Sequence, residues 1–394
     1  MEELEFRTDE GKLIIELIGR IDSTNAPEIE KSILKAAADN PKAVPCIDAK
    51  KLEYISSAGL RVLMRLAKLI HEKLTIRDVS SNVYDILEST GFTEMMNVQK
   101  RLREMSVEGC KLIGKGGNGE VYRLNDETIV KVYQGERNTP EKIRQNREVT
   151  KDAFLNGIPT TIAFDMVRVG ENYGVVFEMV NARSFEQELA DHPEKAELYA
   201  NKIADTLMLL HKTTFEEGAL PDSRDVFRKY IRETLDKGYF KQKEADRLFK
   251  LIDDIPARNT FIHQDFHPGN LMLQNDEIVL IDVEDSGLGH PILDLSAMYM
   301  VYVTAAQRGW TKKHNGIGKK EFGIMWDIII KKYFNTTDAK EIKEINRILK
   351  GYATIRLIHE VATSPRVADY LRKIVISIFK RKLLKMVDTL HPIL

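Results

Sequence analysis

The feature that most constrains this chain is a short polar run followed by an apolar strand and a further carboxylate. Residues 263–270 read His-Gln-Asp-Phe-His-Pro-Gly-Asn, and Asp282 follows in Leu-Ile-Asp. Phosphoryl transfer needs one carboxylate to orient a hydroxyl, and an amide with a second carboxylate to hold a metal ion on a triphosphate. Asp265, Asn270 and Asp282 supply these groups in that order. The spacing therefore predicts an ATP-dependent phosphotransferase.

The bulk composition is that of a soluble protein with more than one domain. Its 394 residues are 43% hydrophobic and 30% charged, and the formal net charge is −1, so charge gives no argument for a nucleic-acid partner. Cys46 and Cys110 lack metal-ligand spacing, and so few cysteines do not suggest disulfides. Residues 1–5 are acidic and unlike a signal peptide, and no apolar run predicts a transmembrane segment. We expect a cytoplasmic protein.

The first hundred residues alternate between apolar strands and amphipathic helices, an order that predicts a layered α/β domain over residues 1–105. Pro45 lies within the second predicted strand and indicates an edge strand or a bulge. The predicted strands cover residues 13–18, 43–48 and 74–76, and the predicted helices cover residues 27–38, 59–71 and 83–88.

Residues 109–180 carry a second group of candidate nucleotide-binding residues. The sequence over 114–121 matches G-x-G-x-x-G-x-V, with Gly114, Gly116, Gly119 and Val121 at the fixed positions. Such glycines let a hairpin approach phosphates closely and offer them backbone N–H groups. A glycine-rich turn without any ligand is the simpler interpretation of this motif alone.

The next apolar strand carries Lys131, whose ammonium could reach the phosphates of a nucleotide. Glu148, in a helical stretch, is the predicted partner that fixes this lysine, and Glu178 and Met179 lie in the predicted hinge. Taken singly, Lys131 could be an exposed strand charge and Glu148 an unpaired helix residue. The order of all these elements together favours the nucleotide site.

The run His-Gln-Asp-Phe-His-Pro-Gly-Asn-Leu, with Ile-Asp-Val-Glu-Asp-Ser-Gly-Leu-Gly-His-Pro-Ile-Leu-Asp-Leu from Ile281, resembles the aminoglycoside phosphotransferase and choline kinase branch of kinase-like enzymes. This resemblance implies an α+β two-lobed protein-kinase-like domain over 106–394, with the small lobe at 106–180 and the large helical lobe at 181–394. It also implies ATP and Mg²⁺ as cofactors, Asp265 as catalytic base, and Asn270 and Asp282 as metal ligands.

The sequence departs from the family pattern at three positions, because Gln264 replaces a glycine, Val283 an aromatic residue and His290 an aspartate. None of these changes removes a chemical role. His263 is predicted to brace the catalytic loop through backbone hydrogen bonds, and Asp294 to anchor that loop from below.

A long stretch, predicted to be helical over 199–211 and on to about residue 251, separates the hinge from Asp265. In this branch such a region builds the acceptor pocket, although a helical decoration without a substrate role is the alternative. Candidate pocket residues, each of which could instead serve packing, are His211, Tyr299, His359 and Glu360.

Residues 48–63, Asp-Ala-Lys-Lys-Leu-Glu-Tyr-Ile-Ser-Ser-Ala-Gly-Leu-Arg-Val-Leu, resemble the STAS domains of anti-sigma-factor antagonists, and residues 19–22 and 87–92 agree with that family. The resemblance implies an α/β STAS-like domain with regulatory or docking roles and a possible protein partner. It makes Ser57 a candidate phosphosite, since antagonists of this family are phosphorylated at the matching serine. The alternative is that Ser56 or Ser57 only caps a helix, and Ser56 stands where the family often has aspartate.

Three functional hypotheses follow from these patterns. The first is a kinase for the hydroxyl of a small molecule, regulated by its STAS domain. The second is a protein serine kinase that acts on Ser57 or on a related STAS protein, and the third is a non-catalytic nucleotide-sensing scaffold.

Near the end of the chain, the basic stretch 372–382 alternates with apolar residues, which predicts a closing helix of the large lobe or a contact with an anionic membrane.

Overall fold

The computed structural model describes residues 4–9, 11–70, 73–116, 119–135, 138–365 and 367–393, with the side chains of residues 314 and 315 left aside. It divides into two compact units, Met1–Ser106 and Val107–Leu394, each with its own hydrophobic core. None of the described helices combines the length and the apolar character that crossing a membrane requires.

The N-terminal unit is an α/β domain in which helices pack on a sheet. The strands lie in the order β1-β2-β3-β4-β5, with β1 antiparallel to β2 and the other neighbours parallel. This confirms the predicted layered α/β class. The elements are β1 (Leu4–Asp9), β2 (Lys12–Ile21), α1 (Ala26–Asp39), β3 (Val44–Ile55), α2 (Ser57–Ala67), β4 (Thr75–Val79), α3 (Ser81–Ser89), α4 (Phe92–Met95), β5 (Asn97–Lys100) and the two-residue strand β6 (Arg103–Glu104).

Pro45 does not mark an edge strand, so that prediction is wrong. It is the second residue of β3, which lies between β2 and β4 in the middle of the sheet. Pairing of β3 with β4 begins only at Cys46, opposite Thr75, so the missing N–H of Pro45 interrupts no part of that ladder. The register shifts between β2 and β3 lie beyond Asp48 and leave Pro45 in regular pairing with Leu13. The helix predicted over 59–71 is α2, which ends at Ala67; residue 71 lies outside the described residues.

The first part of the C-terminal unit is an antiparallel sheet with one helix. The strands follow the order β10-β11-β9-β8-β7, so the glycine-rich hairpin forms one end of the sheet and Lys131 lies on an inner strand. Its elements are β7 (Lys111–Gly116), β8 (Gly119–Arg123), β9 (Thr128–Tyr133), α5 (Pro140–Leu155), β10 (Ala163–Val169) and β11 (Asn172–Glu178).

The remainder of this unit is mainly helical, with small β pairs that carry the catalytic loop. Strand β12 (Arg183–Ser184) joins β14 (Leu271–Gln274) and β15 (Glu277–Leu280), while β13 (Phe261–Ile262) pairs with β16 (Gly287–Leu288). The helices are α6 (Phe185–Asp191), α7 (Ala196–Leu210), α8 (Arg224–Asp236), α9 (Gln242–Asp253), α10 (Ile292–Tyr299), α11 (Trp310–Asn315), α12 (Lys319–Phe334), α13 (Ala339–Thr363) and α14 (Asp369–Met386). Short 3₁₀ helices cover Pro193–Lys195, Pro268–Asn270, Val283–Asp285 and Val387–Thr389, and a π-helix covers Met300–Ala305.

A buried carboxylate joins three strands of the N-terminal sheet. Asp48 on β3 accepts hydrogen bonds from Arg77 of β4 at 2.8 Å and from Arg7 of β1 at 3.2 Å. Burial alone would raise the pKa of Asp48, but the hydrogen bonds from Arg77 and from the backbone N–H of Lys50 hold it below its usual range. Asp48 therefore stays ionised and links neighbouring strands electrostatically.

We expect Asp48→Asn to lower the free energy of unfolding of the N-terminal unit by about 1.5 kcal/mol at neutral pH, because charge-assisted hydrogen bonds are lost. Since the folded pKa is lowered, the stability from the wild-type carboxylate is present above its unfolded value of about 3.9 and is lost as pH falls through the lowered pKa. Hydrogen exchange of β3 amides in the full chain measures the effect, expected as about tenfold faster exchange. The exposed Asp85 offers a control, and Asp85→Asn should leave β3 unchanged; equal protection in wild type and Asp48→Asn at pH 7 would contradict the assignment.

Candidate active site

The loop of residues 263–270 is fixed by one buried carboxylate. Asp294, at the start of α10, accepts hydrogen bonds from the backbone N–H of His263 at 2.9 Å and of Gln264 at 2.6 Å. His211 approaches the same carboxylate through Nε2 at 3.2 Å. The backbone N–H of Asp265 donates to His263 Nδ1 at 3.3 Å. The predicted roles of Asp294 as an anchor and of His263 as a brace are confirmed.

Gln264 lies in a backbone conformation that favours glycine. Its φ is 70°, in the left-handed region that side chains with a Cβ adopt at a cost of about 1–2 kcal/mol. Hydrogen bonds on both sides of the residue hold this conformation, because the N–H donates to Asp294 and the carbonyl accepts from Arg356 Nη1 at 2.6 Å. The side-chain amide adds a contact of 3.4 Å with the Ser223 hydroxyl.

Asp265 is half-exposed and bound from three sides. Arg356 Nη2 donates to Oδ1 at 2.7 Å, His267 Nε2 lies 3.5 Å from Oδ2, and the Asn270 amide donates to the Asp265 carbonyl at 3.0 Å. Burial alone would raise the pKa of Asp265, but hydrogen bonding from His267 and the charge of Arg356 lower it well below its usual range. The carboxylate is therefore held ionised and oriented.

Arg356 is a site residue that the sequence analysis missed. It lies on α13, far along the chain from the catalytic loop, and its Nε also donates to Glu360 at 2.9 Å. The available signal was an arginine and a glutamate four residues apart on a largely buried helix, a spacing that places them on one face. Glu360 was a predicted pocket residue, and it reaches the site through Arg356.

The other predicted pocket residues are placed differently. His211 is buried against Asp294 and Tyr333, and Tyr299 is buried with its ring edge-on to Trp326. His211 therefore helps to anchor the loop through Asp294, and Tyr299 serves packing. His359 pairs with Glu233 at 2.8 Å and stacks on the ring of Tyr230.

Asn270 and Asp282 are brought together by the β14–β15 hairpin. Asn270 precedes β14, Asp282 follows β15 by two positions, and the N–H of Ile281 donates to the Asn270 carbonyl at 3.0 Å. The Asn270 NH₂ group faces Asp265, at 3.0 Å from its carbonyl and 3.3 Å from Oδ2, so its amide oxygen is left for another partner. An amide and a carboxylate oxygen suit Mg²⁺, which binds hard oxygen ligands and retains waters.

Lys131 lies between two carboxylates of the segment after β15. Its Nζ is 2.5 Å from Asp282 Oδ1 and 2.9 Å from Glu284 Oε2, and Glu284 also accepts from the Tyr133 hydroxyl at 2.7 Å. Burial alone would lower the pKa of Lys131, but Glu284 and Asp282 raise it well above its usual value. Glu284 is buried, and the sequence analysis assigned it no role although it lies only two residues after Asp282.

The predicted pairing of Lys131 with Glu148 is wrong. Glu148 directs its carboxylate to Arg147 at 2.5 Å and Lys151 at 3.6 Å, and its side chain is 44% exposed. Glu284 is buried within reach of the ammonium and supplies the carboxylate that Glu148 was expected to supply.

A cavity of about 360 Å³ opens beside Lys131. The predicted residues Gly114, Val121, Lys131, Glu178, Met179 and Asp282 line it, together with apolar side chains from both parts of the unit. Gly116 and Gly119 form the end of the hairpin and do not line this cavity; Gly117 and Asn118 lie outside the described residues. Gly119 has a structural reason to be glycine, because a Cβ there would lie 2.0 Å from the Val132 carbonyl oxygen.

In the N-terminal unit, the two serines before α2 have separate roles. The Ser56 hydroxyl caps the helix and accepts from the N–H of Ala58 at 3.2 Å and of Gly59 at 3.5 Å. Ser57 is the first helical residue, is exposed, and has no side-chain hydrogen bond to the described part of the chain. The capping alternative therefore applies to Ser56 and not to Ser57.

Two protein families match separate parts of the chain. Residues 109–315 match the phosphotransferase enzyme family, and residues 3–105 match the STAS domain. Over 92 residues the chain is 34% identical to a putative anti-sigma factor antagonist, BtrV, of Bordetella bronchiseptica, a match that covers 23% of this chain and 78% of that protein.

The solved structures that match this chain share little sequence identity with it. Spectinomycin phosphotransferase in complex with ADP and spectinomycin is 14% identical, with 71% of this chain and 93% of that chain covered and a TM-score of 0.40. A choline/ethanolamine kinase family protein from Mesorhizobium loti is 13% identical. The match covers 71% of this chain and 92% of that chain, with a TM-score of 0.43. The family match spans more than half of the residues, and the chain therefore belongs to the phosphotransferase enzyme family and carries an N-terminal STAS domain related to anti-sigma factor antagonists.

Proposed function

We propose that the C-terminal unit transfers the γ-phosphoryl group of ATP, with Mg²⁺, to the hydroxyl of a small molecule. We also propose that the STAS domain regulates this activity or serves as a docking module. The observation that carries the proposal is that hydrogen bonds join two residues of the 360 Å³ cavity, Lys131 and Asp282, to the loop that carries Asp265. Lys131 from β9 meets Asp282 at 2.5 Å, and the Ile281–Asn270 hydrogen bond joins Asp282 to the loop that carries Asp265.

Each residue then has a role that follows from its surroundings. Asp265 orients the acceptor hydroxyl and takes its proton, while Asn270 and Asp282 offer oxygen ligands to Mg²⁺. Bound Mg²⁺ supplies positive charge that neutralises the phosphate oxygens. Lys131 stays protonated and contacts the phosphates, and Glu284 holds its ammonium group in place.

We assign the acceptor side to a second cavity, of about 730 Å³, whose wall includes Glu360, the partner of Arg356. Glu233, Asp236 and Glu360 contribute carboxylates to this wall and Lys237 contributes one ammonium group. Glu360 binds the same guanidinium that holds Asp265. A wall with this charge favours an acceptor that carries a cationic group beside its hydroxyl. This supports a small molecule as acceptor.

Asp265→Asn should reduce turnover by about 10²–10⁴-fold, because the acceptor hydroxyl loses its base, while ATP affinity changes little. The measurement is ADP release across a panel of hydroxylated amines, with ATP binding followed by calorimetry. Asp254→Asn, at an exposed position, is the matched control. Unchanged turnover in Asp265→Asn would exclude the base; bound ATP without turnover on any acceptor would favour the scaffold hypothesis.

Glu284→Gln should lower kcat/KM by about 10- to 100-fold, because Lys131 loses a charge-assisted hydrogen bond that fixes it. Glu148→Gln removes the same charge at a half-exposed position and should change kcat/KM less than about twofold. Circular dichroism checks that both variants fold. A large loss in Glu148→Gln with none in Glu284→Gln would restore the helix glutamate as the partner of Lys131.

A second candidate function is favoured by the exposed Ser57. A phosphate there would lie at the positive end of the α2 dipole and would change the charge of a surface that could bind a partner. The enzyme would then phosphorylate its own STAS domain or a related protein.

For this candidate, incubation with Mg²⁺ and ATP followed by intact-mass analysis should add one phosphate to the wild-type chain. The added mass should disappear in Ser57→Ala and in Asp265→Asn, and remain in Ser56→Ala, which loses only a helix cap. An unchanged mass in the wild-type protein, or a phosphate that persists in Ser57→Ala, rules out Ser57 as the acceptor.

A further inference from the structure

Helix α14 exposes large apolar side chains on the face opposite to the one it packs on the core. Ile376 and Leu383 are buried on the inner face. The outer face begins with four apolar residues in three turns, at successive spacings of one, three and four that keep them on one side of the helix. Their exposed fractions are 68% for Tyr370, 44% for Leu371, 56% for Ile374 and 43% for Ile378.

Basic side chains surround this apolar row. The acidic residues of the segment are already neutralised, since Asp369 pairs with Arg372 and Asp388 with Arg247. No carboxylate partner is found, within the described ranges, for the exposed cations of the same helix, which are Lys373, Arg381, Lys382 and Lys385. A chain with a net charge of −1 therefore concentrates uncompensated positive charge on one helix.

Trp310 extends the same surface. The Arg308 guanidinium lies 5.4 Å from the centre of the Trp310 ring and 5.0 Å from that of Phe379 on α14, so the two rings flank one cation. Trp310 is 47% exposed, and Lys312 and Lys313, exposed on α11, add positive charge. We call Trp310, Tyr370, Leu371, Ile374, Ile378 and their basic neighbours the α14 patch.

We propose that the α14 patch binds an anionic lipid surface. Apolar side chains on a basic, otherwise well-packed helix can enter the boundary between headgroups and acyl chains, while lysine and arginine stay with the anionic headgroups. Aromatic rings with a polar end, such as those of Trp310 and Tyr370, suit the same depth. The patch thus matches a membrane surface in both polarity and charge.

A second copy of the chain fits the α14 patch less well. A two-fold dimer would place the same surface on both sides of the interface, and the cations of the two helices would face each other. Burial of the apolar row would then have to overcome repulsion between unpaired like charges. An anionic lipid surface supplies the missing negative charge.

The test mixes the full chain with vesicles of phosphatidylcholine alone or of equal parts phosphatidylcholine and phosphatidylserine, and measures co-flotation. We expect binding to the anionic vesicles only, weakened by salt because the attraction is electrostatic. Arg381→Gln with Lys382→Gln should weaken partitioning about five-fold per removed cation. Ile374→Gln with Ile378→Gln should remove binding, since apolar burial is lost. Lys340→Gln with Lys343→Gln, exposed on α13, is the matched control and should bind like wild type.

Tryptophan fluorescence gives an independent readout. Of the two tryptophans, Trp326 is buried, so a blue shift on vesicle binding reports Trp310, and Trp310→Phe should abolish it without unfolding the protein. Absence of binding to anionic vesicles would overturn the proposal, as would binding that survives both double variants. A concentration-dependent dimer that Ile374→Gln with Ile378→Gln dissolves, without vesicle binding, would overturn it in favour of a second copy.

Discussion

The carboxylate of Asp294 determines the geometry of the whole catalytic loop. It has no solvent exposure and receives two backbone N–H groups, from His263 and Gln264, and the ring of His211. A buried carboxylate with these donors is satisfied only in one arrangement, because an unpaired buried charge is strongly unfavourable. The direction in which the chain leaves His263, and with it the position of Asp265, follows from this constraint.

Three ion pairs then connect the loop of residues 263–270 and the segment after β15 to distant parts of the chain. Arg356 reaches Asp265 from α13, and Lys131 reaches Asp282 and Glu284 from β9. The cations Arg356 and Lys131 are largely buried, whereas Asp265 and Asp282 are about half-exposed. Removing a carboxylate leaves a largely buried cation with less compensation, so these contacts fix relative positions more than they add stability. Together with the Ile281–Asn270 hydrogen bond, these contacts link β9, the segment after β15, the loop of residues 263–270 and α13.

The parts of the fold that local sequence determines could be predicted, and those that depend on tertiary packing could not. The α/β class of the first unit follows from alternating periodicity, and the closeness of Asn270 and Asp282 follows from a hairpin only a few residues long. By contrast, Glu148 and Glu284 are both glutamates near expected elements, and only burial distinguishes the partner of Lys131. Arg356 lies about ninety positions from Asp265 along the chain, a separation for which no local pattern carries information.

The left-handed backbone of Gln264 has a consequence for how the loop responds to perturbation. A residue with a Cβ in this region lies in a narrow energy well, whereas glycine would occupy a broad one. Gln264 thus forms a stiffer connection than glycine would between the anchor at Asp294 and the carboxylate of Asp265. A displacement of the Asp294 anchor is therefore transmitted directly to the Asp265 carboxylate.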